Sequence, residues 1–249
     1  MNLREILDAK VEQYEQPSFI EYDPISIPHR YSCKEDIEIS GLLAATIAWG
    51  NRKSILKSAN EMMNRLSDAP YDFVINASDR EISLLNTFVY RTFQKEDLPC
   101  FIRGIRDIYL NRGGLERLMS ESVTPIDADV RKAILTLYKA MSPFLDDHSK
   151  KHIANPDKSA AKRICMYLRW MIRSEAKGVD FGLWRGGIKP SQLVLPLDVH
   201  VGNIALKLGL INRNGKDWKT ATAITERLKE FRPDDPVAYD FALFSMDME

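Results

Sequence analysis

LPLDVHVGNIALKLGL, residues 195–210, decides the reading of this chain. Pro196 stiffens the approach, and Asp198 stands where a helix N-cap belongs. Val201, Ile204, Ala205 and Leu208 follow at i, i+3, i+4 and i+7, so one face of the helix is apolar. Gly209 closes the run, as glycine does just past a helix end. Asp198 therefore has two readings. One is a plain N-cap, which stabilises a helix by about 1 kcal/mol. The other is a carboxylate held at a helix start, where it can stabilise a cationic sugar transition state.

The second informative stretch lies upstream, SAAKRICMYLRWMIR at residues 159–173. Ile164, Cys165, Leu168, Met171 and Ile172 share one helical face and predict a core-facing stripe. Lys162, Arg169 and Arg173 fall at i, i+7 and i+11 and line up on another face. Such a row reads either as a solvated surface or as a set of cations for a polyanion. It sits in a basic region: between Lys150 and Lys189 the many lysines and arginines face only Asp157, Glu175 and Asp180. The tail from Glu226 onward leans acidic, with Asp234, Asp235, Asp240 and Asp247. The net charge of zero, from 35 basic and 35 acidic residues, thus hides a separation along the chain, and binding follows the local field rather than the sum.

Helical periodicity dominates elsewhere. Helices are expected near the N-terminus around Leu3, Ile6 and Leu7, at 36–47, from Ile55 to Leu66, and at 79–85, 98–111, 114–120, 127–141, 160–173 and 220–231. Residues 22–32 carry Pro24 and Pro28 and read as an irregular crossing loop, 68–72 as a proline-containing break, and 178–195 as irregular. No strand ladder, internal repeat or low-complexity tract is visible. With 45% hydrophobic residues in 249, the chain can bury one large core or two packed lobes.

Cys33, Cys100 and Cys165 are odd in number and far apart, so neither a structural zinc nor an iron–sulfur cluster is expected, and the thiols read as reduced. His29, His148 and His152 show no ligand spacing, and no cofactor or metal is expected. The mixed-charge start MNLREILDAK lacks the form of a signal peptide, and no apolar run reaches membrane-spanning length, which points to a cytoplasmic protein.

Residues 195–210 resemble the segment of helix-hairpin-helix DNA glycosylases that runs [VL]-P-[VL]-D-[TV]-H-V-x-x-[IV]-x-x-[RK]-L-G-[LI], and match it almost throughout. The resemblance makes Asp198 the essential carboxylate. It places the family's catalytic lysine at Lys162, although the usual LPGVGxK hairpin is replaced by NPDKSAAK at 155–162 and the phosphate-approaching glycines are missing. The longer linker between Lys162 and Asp198 and the departing hairpin are more similar to archaeal 8-oxoguanine glycosylases. AATIAWGNRKS at 44–54 resembles the region that fills the gap left by a flipped base. Asn51 is the nearest equivalent of the wedge residue, and it reads equally as a helix cap before Arg52. The whole chain, with its tail DPVAYDFALF at 235–244, is also similar to a bacterial family of unassigned relatives of these enzymes.

The resemblance implies an all-α, two-lobed bundle of the helix-hairpin-helix glycosylase type without an iron–sulfur cluster. Residues 36–158 form a central lobe, 159–231 carry the hairpin-like and Asp helices, and 1–35 and 232–249 pack onto the second lobe. It implies a monomeric, nucleoid-associated base-excision enzyme acting on duplex DNA with a damaged base, an oxidised purine, or an abasic site. Lys162 attacks the sugar and Asp198 assists, with a lyase step following from the amine. Ser159, Arg163, Arg169, Arg173, His200, Asn51 and Arg52, with the backbone amides of 159–162, are the implied DNA contacts. Trp49, Phe241 and Phe244 are candidates for stacking on the base, and Asp240 for accepting a hydrogen bond from it. His200 also reads as a structural hydrogen-bonding group, and Lys158 is a rival amine in the same turn. Two other classes remain: a non-catalytic DNA-binding module of the same fold, and a helical protein-interaction domain whose basic helix meets an acidic partner.

Overall fold

The computed structural model describes residues 2–213 and 215–246; Asp247, at the end of the acidic tail, lies outside them. The described residues form an all-α bundle with no strand, only an isolated bridge between Tyr90 and Phe93. No helix among them is long and apolar enough to cross a membrane. The chain divides into two compact units. One comprises residues 1–21, 123–131 and 154–249, the other 22–122 and 132–153. The segment 123–131 thus falls in a different unit from the rest of the expected central lobe, and 22–35 falls in that lobe's unit.

In the first unit, α1 (Leu3–Tyr14) opens with a capping box in which Asn2 and Glu5 satisfy each other's end of the first turn. It packs against α12 (Tyr239–Ser245), and Tyr239 donates its hydroxyl to Asp8 at 2.7 Å. Three further helices of the same unit are α9 (Lys162–Ile172), α10 (Val199–Lys207) and α11 (Trp218–Lys229). In α9, the expected stripe is buried, but so are Met166, Tyr167, Arg169 and Trp170. From Ile164 onward the helix is buried on every side, so charges beyond its first two residues cannot be solvated.

The second unit holds α2 (Lys34–Thr46), α3 (Arg52–Arg65), α4 (Pro70–Asn76), α5 (Asp79–Leu84), α6 (Asp97–Arg112), α7 (Leu115–Ser120) and most of α8 (Arg131–Met141). From Ile37 to Thr46 every residue of α2 is buried, against α3, α4 and the 3-10 turns at Pro24–Ser26 and Pro28–Arg30. Those turns replace the expected loop, with Pro24, Ile25 and Pro28 buried. The proline-containing break is instead the start of α4. Pro70 sits in its first turn, where a missing N–H leaves nothing unsatisfied. The helix expected over 127–141 begins only at Arg131, because 123–130 run as turns in the other unit.

Candidate catalytic site in the first unit

Asp198 is the N-cap of α10, and its two carboxylate oxygens point to different partners. Oδ1 accepts the Val201 amide at 3.0 Å. Oδ2 lies 3.3 Å from Lys162 Nζ, at the first residue of α9. Both side chains keep about a third of their surface, 34% for Lys162 and 30% for Asp198, so the pair is reachable from solvent. Two helix starts 36 positions apart in the chain thus bring an ammonium and a carboxylate together.

The turn before Lys162 is built from Asn155. Its carbonyl accepts the Lys158 and Ser159 amides, and its side chain accepts the Asp157 amide. The Ala160 amide donates to the Lys216 carbonyl, and the Ala161 amide to Ser159 Oγ. Three of the amides expected to grip phosphate, those of Ser159, Ala160 and Ala161, are therefore engaged internally. Ala161 holds φ +51°, a left-handed conformation that normally favours glycine. The strain falls on the residue directly before Lys162, the variable position of the LPGVGxK pattern and not one of its glycines.

Arg169 and Arg173 do not form the expected phosphate-facing row. Their residues are 3% and 4% exposed. Arg169 pairs with Asp180 at 3.3 Å and with Asp240 at 2.5 Å. Arg173 pairs with Asp180, with Asp235 at 2.9 Å and with Glu15 at 2.7 Å. Burial opposes the Arg173 charge, but Asp180, Asp235 and Glu15 outweigh it and hold the guanidinium more firmly protonated than usual. The reason is the all-round burial of α9: a cation on that helix needs an anion beside it. Glu15, Asp180 and Asp235 carry no motif, and only the fold collects them.

Asp240 belongs to the same network. Burial pushes its carboxyl above the usual range, against the pull of Arg169 and Lys162, while Asp198 adds to the rise. The expected base acceptor is thus already the anion of Arg169. Phe241 is 1% exposed, with the Arg169 guanidinium 4.4 Å from its ring centre and the edge of Phe19 at 5.1 Å. It is a core ring, which corrects the stacking role. Phe244 is half-buried, with Phe19 at 6.0 Å. Arg163 is half-buried, and desolvation draws its guanidinium pKa down to about 10. His200 is exposed at the second residue of α10, and Ser159 and Lys158 are exposed in the turn.

The other expected residues belong to the second unit. Asn51 caps α3, its side chain accepting the Ser54 amide at 3.4 Å, and Arg52 is the first residue of that helix. Gly50 precedes it at φ +101°, where a Cβ would stand 2.7 Å from the Arg91 guanidinium. Trp49 is half-buried. Its ring stacks on His152 at 5.6 Å and meets Tyr90 edge-on at 5.5 Å.

Comparison with known proteins places the chain in one family. It belongs to the family described as "Protein of unknown function (DUF2400)", whose model matches residues 23–249. No curated protein and no solved structure matches it.

Proposed function

We propose that this member of the DUF2400 family is a DNA base-excision glycosylase with an associated lyase step, and that Lys162 and Asp198 are its catalytic pair. The observation that carries the reading is the 3.3 Å approach of Lys162 Nζ to Asp198 Oδ2 in a solvent-reachable position. The resemblance of residues 195–210 to the glycosylase segment supplies the reaction class. The proposal rests on residues of the first unit alone.

In this reaction Nζ must lose a proton before it can attack C1′, and Asp198 Oδ2 is the adjacent acceptor. The Nζ–C1′ bond forms as the glycosidic bond breaks, and the base leaves with the bonding pair and picks up a proton. Charge that develops on the sugar meets the Asp198 carboxylate, whose second oxygen stays fixed to the Val201 amide. The C1′–O4′ bond then breaks, O4′ takes a proton, and the sugar opens to an iminium on Nζ; this acidifies C2′, and loss of a C2′ proton with cleavage of the C3′–O3′ bond cuts the strand on the 3′ side. Among the described residues no carboxylate is placed for Lys158, the rival amine, as Asp198 is for Lys162. Phosphate contact falls to exposed groups of the turn and helix start, Lys158, Ser159 and His200.

A non-catalytic helical module is the second reading. The internally engaged amides of Ser159, Ala160 and Ala161 and the buried guanidinium groups of Arg169 and Arg173 favour it, because both withdraw grip from DNA. Oligonucleotide duplexes bearing 8-oxoguanine, an oxidised pyrimidine, uracil or an abasic site separate the two. Cleavage of one of them by the wild type, lost in Lys162→Gln and Asp198→Asn, supports the enzyme. Intact strands throughout, with or without binding, support the module.

A further inference from the structure

The second unit gathers a group of side chains that the glycosylase reading does not use. Asp97, the first residue of α6, meets His148 and His152, which flank the 3-10 turn Ser149–Lys151. One ligating atom from each of the three lies within 4.8 Å of the others. Nε2 of His152 is 3.3 Å from Asp97 Oδ2, and Nε2 of His148 is 3.5 Å from the same oxygen.

Three features set this cluster apart from an ordinary buried ion pair. A histidinium–carboxylate hydrogen bond closes to about 2.7–2.9 Å, and neither contact does. His152 is 5% exposed at its side chain, yet its Nε2 makes no hydrogen bond. A buried polar atom left so is costly unless something else satisfies it. Finally, an ion held at about 2.0–2.1 Å by tetrahedral ligands keeps those ligands roughly 3.3 Å apart, close to the separations of Asp97 Oδ2 from the two imidazoles.

The surroundings hold the ligands in place. Asp97 Oδ1 accepts the Ser149 hydroxyl at 2.5 Å, and Oδ2 accepts the Gln94 amide at 2.6 Å. The His152 ring is fixed by Trp49 on its face and by Phe93 at 5.1 Å. His148 is 42% exposed and gives a route for entry. Its Nε2 also lies 2.9 Å from the Thr92 carbonyl oxygen, so an ion there takes the place of a proton on that nitrogen.

We propose that Asp97, His148 and His152 form a binding site for a divalent transition metal of the zinc type. Two imidazoles and one carboxylate suit zinc, cobalt(II) or iron(II) better than magnesium or calcium, which prefer oxygen ligands. Three protein ligands leave a coordination position for water. The ion would pin the Ser149–Lys151 turn to the start of α6.

The test is titration of the metal-stripped full chain with Zn²⁺ by calorimetry and with Co²⁺ by visible absorption. One equivalent should bind, with the visible bands of low-symmetry Co²⁺ held by nitrogen and oxygen. His148→Ala should weaken binding by at least about tenfold. Its side chain is half exposed, and far-UV circular dichroism confirms that the variant is folded. His152→Gln, which keeps a polar group in the buried position, should abolish the Co²⁺ bands. Three results overturn the proposal: no stoichiometric binding, a thiolate charge-transfer band that places the ion on a cysteine, or equal binding by folded His148→Ala.

Discussion

Asp240 holds Arg169 at 2.5 Å across 71 positions of sequence. The pair ties the tail helix α12 to the helix that begins with Lys162. Asp180 joins the network from the other side, contacting both Arg169 and Arg173, and its side chain has no exposed surface. What the sequence presents as a row of cations is thus an internal fastening.

Removing one member of that fastening leaves a buried charge without its partner. Asp180→Ala should destabilise the protein by about 3–5 kcal/mol. Arg185→Ala, at an exposed pair with Glu175, should change stability by no more than about 0.5 kcal/mol. Urea unfolding, read as the shift in midpoint at constant slope, checks the contrast. Equal shifts would mean that the buried network is not what holds α9.

Asp198 separates capping from chemistry because its two oxygens have separate partners. Asparagine caps a helix as well as aspartate does, so Asp198→Asn should alter stability by less than about 0.5 kcal/mol. If the carboxylate acts in base release, the same change should slow cleavage by about 10²–10⁴-fold. Asp198→Ala loses the cap as well, at a further cost of about 1 kcal/mol. Single-turnover cleavage beside thermal unfolding of both variants tests this.

The N-cap of α11 predicts a pH effect. Hydrogen bonds from the Thr220 hydroxyl and amide, joined by Arg213, hold the Asp217 carboxyl below its ordinary value. A carboxyl lowered on folding contributes stability that is present above its unfolded value and lost as pH falls through its folded one. Stability should therefore decline below about pH 4, the unfolded carboxyl value. Asp217→Asn should flatten that limb while leaving neutral-pH stability nearly unchanged. Denaturant midpoints from pH 7 down to pH 2 give the comparison; an unaltered acid limb would count against the capping account.

Salt dependence tests which cations meet DNA. Each phosphate neutralised adds about 0.9 to the slope of log affinity against log salt. Lys158 is exposed beside Lys162, so Lys158→Ala should lower the slope by about one. Arg169 is internal, and the conservative Arg169→Lys should leave the slope unchanged provided the variant folds. Fluorescence anisotropy over a salt series reads both.

The parts of this architecture that were legible in the sequence are those with a local code. Asp198, the apolar spacing behind it and Gly209 give α10 almost residue by residue, because a cap, a periodic face and a left-handed stop all lie within one short segment. Partnership across the chain has no such code. A helical wheel aligns Arg169 and Arg173 equally well for solvent or for buried acids, and Glu15, Asp235 and Asp240 are too distant to announce themselves. Proline at residue 70 reads as a break and as a helix start with equal ease; only burial of Pro70 and Val74 decides. His148 and His152 flank a 3-10 turn rather than share a helix face, so their spacing alone does not pair them in the sequence. Their carboxylate is Asp97, far upstream.

The central claim is that Lys162 is the amine that attacks the sugar. Sodium borohydride added during incubation with abasic or lesion-bearing duplex reduces such an intermediate to a stable protein–DNA adduct. The account predicts an adduct whose modified peptide contains Lys162, present in Lys158→Gln and absent from Lys162→Gln. Failure to trap any adduct on abasic and lesion duplexes that the protein binds, or an adduct mapped to another lysine, would contradict it.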